Sequence, residues 1–370
     1  MTTPFNLSVF ANFLNASGQA SPSAFSDQGN TSTGGLGLPV GTTAQRPSTS
    51  ASGYARINTT TDVLEVYYNN TWNTVYSLIP FVSGFQRAIF GLGYITGLGG
   101  QSMTNLVSNR GVVATDTSTV ATARYSAAGT GYGADKAIYA YGYTNSPTSY
   151  TNLISNVGVV ASDVASSGTA RYSLAGARYG TDKAILGYGE GAAYYSLTNL
   201  ISNTGVVATD TAGVGTARSR LAAAGYGTDK AIFGYGNGNK SMTNLVSNTG
   251  VVATDTTGVG TGRSYLAATG YGTDKAIFGY GAKPSSVSMT NLISNTGVVA
   301  TDTTGVGTAR NGLAASIYGG DKAIFGFGTD DTGASLSMTN LVSNTGVVAA
   351  DTTGVGTSRY NISAASYSIT

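Results

Sequence analysis

The sequence predicts an all-β chain, on three observations. Glycine (53) and tyrosine (24) are abundant and proline (7) is rare among 370 residues, a composition of short strands and tight turns instead of helices. A unit near 47 residues recurs six times from residue 87 onward. Its apolar stretches are short and consecutive (AIF, VVA), as expected of strands covered on both sheet faces.

In chain order, residues 1–35 drift from a short apolar start into Ser, Gly, Ala and Asn, which predicts an anchoring or linker segment with little core of its own. Residues 36–80 carry three alternating runs, YARIN, VLEVYY and TWNTVYS, separated by the polar turns TTTD and NN. They predict a small β meander, too small to be secure without a partner copy or the next domain. Residues 81–370 hold the repeats, which share one continuous core and so form one domain.

Three features anchor each repeat: the basic residue opening a KAIFGYG-like run (Arg87, Lys136, Lys183, Lys230, Lys275, Lys322), the Thr of a TNL triplet, and an Arg. Thr to Arg is always 20 residues and Arg to the next basic anchor always 12, whereas anchor to Thr is 17, 15, 15, 13, 15 and 17. Around Lys230 the unit predicts four strands: SRLAAAGYG, KAIFGYG, SMTNLVSN and GVVATD, with GTD a hairpin turn and TTGVGTAR leading to the next copy. Four strands per unit with periodic Gly and aromatic positions predict a six-bladed β-propeller, its Ala-rich strands innermost where only small side chains fit. The last copy ends in an extra innermost strand while the first opens on the second, so the C-terminal strand completes the first blade and leaves no free edge. A β-solenoid with two coils per period is the other arrangement. Spacings that differ by two predict hairpins lengthened by residue pairs, which keeps every later side chain on its face.

Composition narrows the function. A net charge of +2 from 19 basic and 17 acidic residues, spread evenly, provides no basic stripe for nucleic acid. The chain has neither Cys nor His, which removes disulfides, thiolate metal sites and imidazole catalysis. The N-terminal MTTPFNLSVFANFL lacks a basic n-region and a long apolar run, so neither a signal peptide nor membrane insertion is expected. Gly-rich runs such as GLGYITGLGG lack the strand-to-helix context of a phosphate loop and read as turns.

The acids divide by repetition. Asp116, Asp163, Asp210, Asp255, Asp302 and Asp351 recur in every copy, each eight residues before the repeat arginines Arg124, Arg171, Arg218, Arg263, Arg310 and Arg359. A residue required six times is scaffold, and Asp and Arg are expected to pair or to cap the intervening TTGVGT loop. Asp135, Asp182, Asp229, Asp274 and Asp321 recur in the hairpin turns. Only Asp27, Asp62, Glu65, Glu190, Asp330 and Asp331 lie outside these sets, too few and too scattered for an acid/base pair or a metal site. No catalytic residue, metal or cofactor is expected, and the chain is not read as an enzyme.

The functional signal lies in the stretch of variable length. There the copies present Tyr143, Asn145 and Tyr150; Glu190, Tyr194 and Tyr195; Asn237, Asn239 and Lys240; Lys283; and Asp330 with Asp331. In an up-down-up-down blade these loops emerge on the face that carries the blade-to-blade connections. Tyr, Asn, Ser and Gly are residues of recognition loops, giving rigid aromatic contact and adaptable hydrogen bonds. Drift of exposed loops would produce the same variation.

The unit LAAAGYGTDKAIFGYG followed by TNLVSNTGVVATD resembles kelch-type propeller repeats, and more closely the kelch-like arrays of phage tail proteins. The kelch double glycine stands here as GYG, and the kelch Trp is absent, Trp72 being the single Trp of the chain. LPVGTTAQRPSTSASGYARINTTTDVLEVYYNNTWNTV is similar to a short module of phage tail-fibre and other virion proteins. The resemblance implies a virion protein of a tailed phage, fixed to other tail proteins through its N-terminal segment and displaying the propeller outward. A tail fibre or adhesin that binds a host surface glycan or protein is the first function implied. A structural or decoration protein of tail or capsid is the second, and a glycan depolymerase the third. Fibre-like proteins of this type are homo-oligomers, frequently trimers.

Overall fold

A computed structural model describes residues 39–47, 54–60, 63–68, 70–75 and 86–368. The anchoring segment expected over 1–35 lies outside them. The chain divides into two compact units, Met1–Phe81 and Val82–Thr370.

In the first unit, strands Ala55–Asn58, Val63–Tyr68 and Thr71–Val75 pair antiparallel in order, and Val40–Gly41 adds a parallel edge strand against Ala55–Asn58. Glu65 is fully buried, and a buried carboxylate needs partners. It accepts hydrogen bonds from both Arg46 and Asn58. The Arg46 hydrogen bond is the main reason its carboxyl sits below the usual carboxylate range.

The second unit contains six antiparallel sheets built on one plan, named here by their basic anchors. In the Lys136 sheet, Ala128–Tyr132 pairs with Lys136–Tyr143, which pairs with Pro147–Ile154. The Lys183, Lys230, Lys275 and Lys322 sheets repeat the pattern. The Arg87 sheet takes its inner strand, Ser363–Ser368, from the far end of the chain and pairs it with Gln86–Gly91, next to Thr104–Val107.

The GVVATD segment expected as a fourth strand differs. It makes isolated bridges such as Val107↔Val113 and Thr104↔Thr117 in place of a strand, and only the Lys136 sheet has a two-residue fourth strand, Val164–Ala165. The Ser-Asn-Thr-Gly turn before it is tight, with Ser202 Oγ accepting from the backbone of Thr204 and Val206, so the chain leaves the ladder after one bridge at each end.

The inner strands neighbour one another in sequence, Ala128–Tyr132 beside Ala175–Tyr179 and so on to Ala314–Tyr318, which lies beside Ser363–Ser368; that strand lies beside Ala128–Tyr132. Two hydrogen-bond belts follow the same circuit. The last Gly of each GYG-like run donates to the carbonyl of the next sheet's Arg: Gly93 to Arg124, Gly142 to Arg171, Gly189 to Arg218, Gly236 to Arg263, Gly281 to Arg310 and Gly328 to Arg359. At the opposite sheet end, hairpin turns are linked in the same order, Gly133 to Asp182, Gly180 to Asp229, Gly227 to Asp274, Gly272 to Asp321, Gly319 to Gln86 and Ser368 to Asp135. Six apolar cores sit between adjacent sheets, each drawing residues from two of them.

Inter-sheet packing rests on a Gly facing a ring. A Cβ built on Gly187, Gly234, Gly279 or Gly326 would lie 2.5–2.7 Å from the nearest atom of Phe233, Phe278, Phe325 or Phe90 in the next sheet, inside any real contact distance. The repeated Gly therefore gives the neighbouring aromatic its seat. In the Lys136 sheet the equivalent residue is Ala140, and the residue facing it is the smaller Leu186 in one shared core.

Candidate functional site

The repeated Arg is the centre of each sheet. Arg171 is fully buried, and its guanidinium donates to the Tyr188 carbonyl from Nε at 2.7 Å, to the Thr169 carbonyl from Nη1 at 3.0 Å and to Asn199 Oδ1 from Nη2 at 2.6 Å. Asn199 in turn donates to Asp210, which accepts from the backbone and hydroxyl of Thr169 and pairs with Arg171 at 3.6 Å. The same clamp occurs six times, with Arg–Asp distances of 3.3–4.0 Å. Each Asp thus pairs with the Arg that opens its own sheet, as in Arg124–Asp163, and not with the Arg eight residues downstream that the sequence spacing suggested. TTGVGT is the connection between sheets, so the downstream Arg belongs to the next one. Arg359 completes the set by clamping Leu92, Asn105 and Asp116 of the Arg87 sheet.

A buried cation and a part-buried carboxylate shift each other. Burial alone would raise the six aspartates, but hydrogen bonds from Thr and Asn, with the Arg charge, hold them below the usual carboxylate range. Burial pulls all six arginines down, Arg359 to about 10, against the opposing pull of the paired Asp. The aromatic before the last Gly of GYG has positive φ (64° at Tyr188), an uncommon conformation for a large side chain. Its carbonyl is turned to the Arg of its own sheet, and its ring lies under the Arg of the next, 4.2 Å from Arg218 in the case of Tyr188.

Variation begins immediately after this invariant Arg. The two residues that follow are Tyr125-Ser126, Tyr172-Ser173, Ser219-Arg220, Ser264-Tyr265, Asn311-Gly312 and Tyr360-Asn361. The second of each pair has positive φ (48–62°), and five consecutive links, among them Ser173 N–H to the Ser126 carbonyl and Ser126 N–H to the Asn361 carbonyl, join them in series. These six residues, with the apolar residues after them, surround a depression of about 80 Å³. In five of the six pairs the first residue bridges to the start of a variable loop, Tyr125 to Tyr143, Tyr172 to Glu190, Ser264 to Ala282, Asn311 to Thr329 and Tyr360 to Tyr94, and in the sixth the Ser219 carbonyl accepts from Asn237 N–H. The mouth of this depression and the variable loops therefore share one face.

The sequence-selected loop residues fall into three groups on this face. Tyr143 is half-buried beside the mouth. Asn145, Tyr150, Tyr194, Asn239 and Lys283 are exposed, and Tyr195, Asn237 and Lys240 are half-buried. Three acids serve the fold. Asp330 caps its own turn at Thr332 and Ala334, and Asp331 holds the neighbouring loop at the Ser286 N–H, 2.8 Å away. Glu190 is only 6% exposed; it accepts from Ser219 Oγ at 2.7 Å and pairs with Arg220 at 3.4 Å. Burial, with the Glu190 carboxylate beside it, pushes the Tyr172 hydroxyl up to about 12.

The residues after the Arg carry no length variation, so the spacing of the repeats does not mark them. The signal was present: two positions of unlike chemistry inside a segment of fixed length. Among the described residues, no group of three or more His, Cys, Asp or Glu converges as a metal site. No protein-family model matches the chain, and a comparison with curated proteins finds no match.

Proposed function

We propose that this chain is a virion protein of a tailed phage, a six-bladed kelch-like propeller whose variable face recognises the host cell surface. Support for the ring comes from the circuit of inner strands and the hydrogen-bond belts that follow it back to their start. The observation that carries the recognition reading is the convergence of variation. Clamp, hairpin turn and inter-sheet packing are held nearly constant, while the loops and the two residues after each Arg differ in chemistry and meet on one face. A scaffold that presents unlike side chains around an axis is a binding platform. On this reading the N-terminal segment attaches to other tail proteins, and the assembled fibre is a homo-oligomer.

Exchanging the loops that carry Tyr143, Tyr194 and Lys240 for those of another copy is expected to reduce adsorption to host cells by at least ten-fold. Unchanged adsorption by a folded variant removes the reading. A second reading, a structural or decoration protein, is favoured by one observation. The first Val of each GVVA segment (Val112, Val159, Val206, Val251, Val298, Val347) is 63–66% exposed, a repeated apolar feature suited to packing against other virion proteins.

A further inference from the structure

The rim of the mouth is asymmetric. On one side five half-buried tyrosines from three sheets form a continuous crescent. Ring centroids are 5.4 Å apart for Tyr360–Tyr94, 4.8 Å for Tyr94–Tyr125, 5.5 Å for Tyr125–Tyr143 and 4.9 Å for Tyr143–Tyr172. The opposite rim carries Ser264, Ala282, Asn311 and Thr329, which are small. Between them the Ser126, Ser173 and Asn361 side chains line the depression and make no side-chain hydrogen bond among the described residues.

The geometry points to a neutral saccharide as the ligand of this mouth: a sugar ring lies on the tyrosine crescent, and one of its substituents enters the depression. This rests on the recognition reading above and specifies its ligand class. Three features select it. Tyrosines give apolar faces with polar tips, matching a pyranose that has C–H faces and hydroxyl edges. A depression of about 80 Å³ is far below the roughly 300–1,000 Å³ of pockets that enclose whole ligands, so it admits a substituent and keeps the ring at the surface. The ionised side chains at the rim, Arg220 and Glu190, neutralise each other at 3.4 Å, with Arg220 also stacked 4.8 Å over Tyr265. An anion would need a cation free to receive it. Here the charge of the cation is offset by Glu190 and its face is covered by Tyr265, while its Nε makes no hydrogen bond; the offset charge favours an uncharged sugar over a uronic acid or a phosphate.

The experiment uses the full chain and saturation-transfer NMR from tyrosine ring protons. The probes are methyl glycosides of neutral hexoses and N-acetylhexosamines, with methyl glucuronide and inorganic phosphate as charged probes. Transfer to at least one neutral glycoside is expected. It should fall at least ten-fold in Tyr125→Ala and in Ser264→Trp, which crowds the mouth from the small side without removing a crescent ring, and should survive in Tyr125→Phe. Thermal melting is followed in each variant to confirm folding. Binding of the charged probes alone, or neutral binding indifferent to both Tyr125→Ala and Ser264→Trp, overturns the inference. Absence of any saccharide binding while loop exchange still reduces adsorption overturns the saccharide and leaves surface recognition standing. Absence of both effects removes the two together.

Discussion

At the residue scale the Arg clamp decides most. A fully buried guanidinium is costly unless its donors are used, and Arg171 uses them on two carbonyls, an Asn and an Asp that come from four separate stretches of the chain. Asp163→Ala should therefore cost about 1–3 kcal/mol, since Arg124 keeps its other partners but loses its counter-charge. A double-mutant cycle by denaturant unfolding is expected to give coupling of about 0.5–3 kcal/mol for Arg124 with Asp163 and near zero for Arg171 with Asp163. The six lowered aspartates also fix a pH dependence. Folded values below the unfolded value of about 3.9 mean that their stabilisation is complete above that pH and is lost as pH falls through the folded values. Melting temperature should be level from pH 7 to 5 and fall steeply below 4; a level curve down to pH 2 would contradict the clamp. The sequence marked these acids as scaffold through their repetition. It did not reveal the pairing, because spacing along the chain cannot show where one sheet ends, and the partner of Asp116 is Arg359.

At the scale of elements, the best-read features are those with local causes. Strands, the Gly-Thr-Asp turns and the tolerance for hairpins of different length were all legible, and the constant Gly234↔Thr243 and Gly326↔Thr339 register shows length changes absorbed beyond the bulge. The fourth segment was misread because its apolar Val-Val-Ala pattern is strand-like, yet one Val is exposed and the other buried on a single bridge. Contacts between sheets were legible only in retrospect, through the exchange of Gly–Phe for Ala140–Leu186. Leu186→Phe alone should destabilise by about 1–3 kcal/mol through overpacking against Ala140. Adding Ala140→Gly should restore most of that loss in thermal or denaturant melts; additive losses would show that the two positions do not share a seat.

At the scale of the whole molecule, the pairing of the last strand with the first strand of the second unit is the feature that ties its six sheets together. Ser363–Ser368 supplies the inner strand beside Gln86–Gly91, and Arg359 clamps that same sheet. Truncation after Asn361 would leave the Gln86–Gly91 edge unpaired and two apolar cores short of residues. The truncated chain is expected to aggregate or to lose cooperative unfolding, as followed by circular dichroism and light scattering. The all-β class and the sixfold repetition were legible in sequence because composition and period are global signals. The mouth was not, because its residues are separated by whole repeats along the chain and meet only in the folded unit.

The most direct test of outward recognition is the density of this chain in an intact particle. The account expects the face bearing Ser126, Arg220 and the tyrosine crescent to point away from the virion and to be free of virion protein. A mouth packed against another virion protein would contradict it.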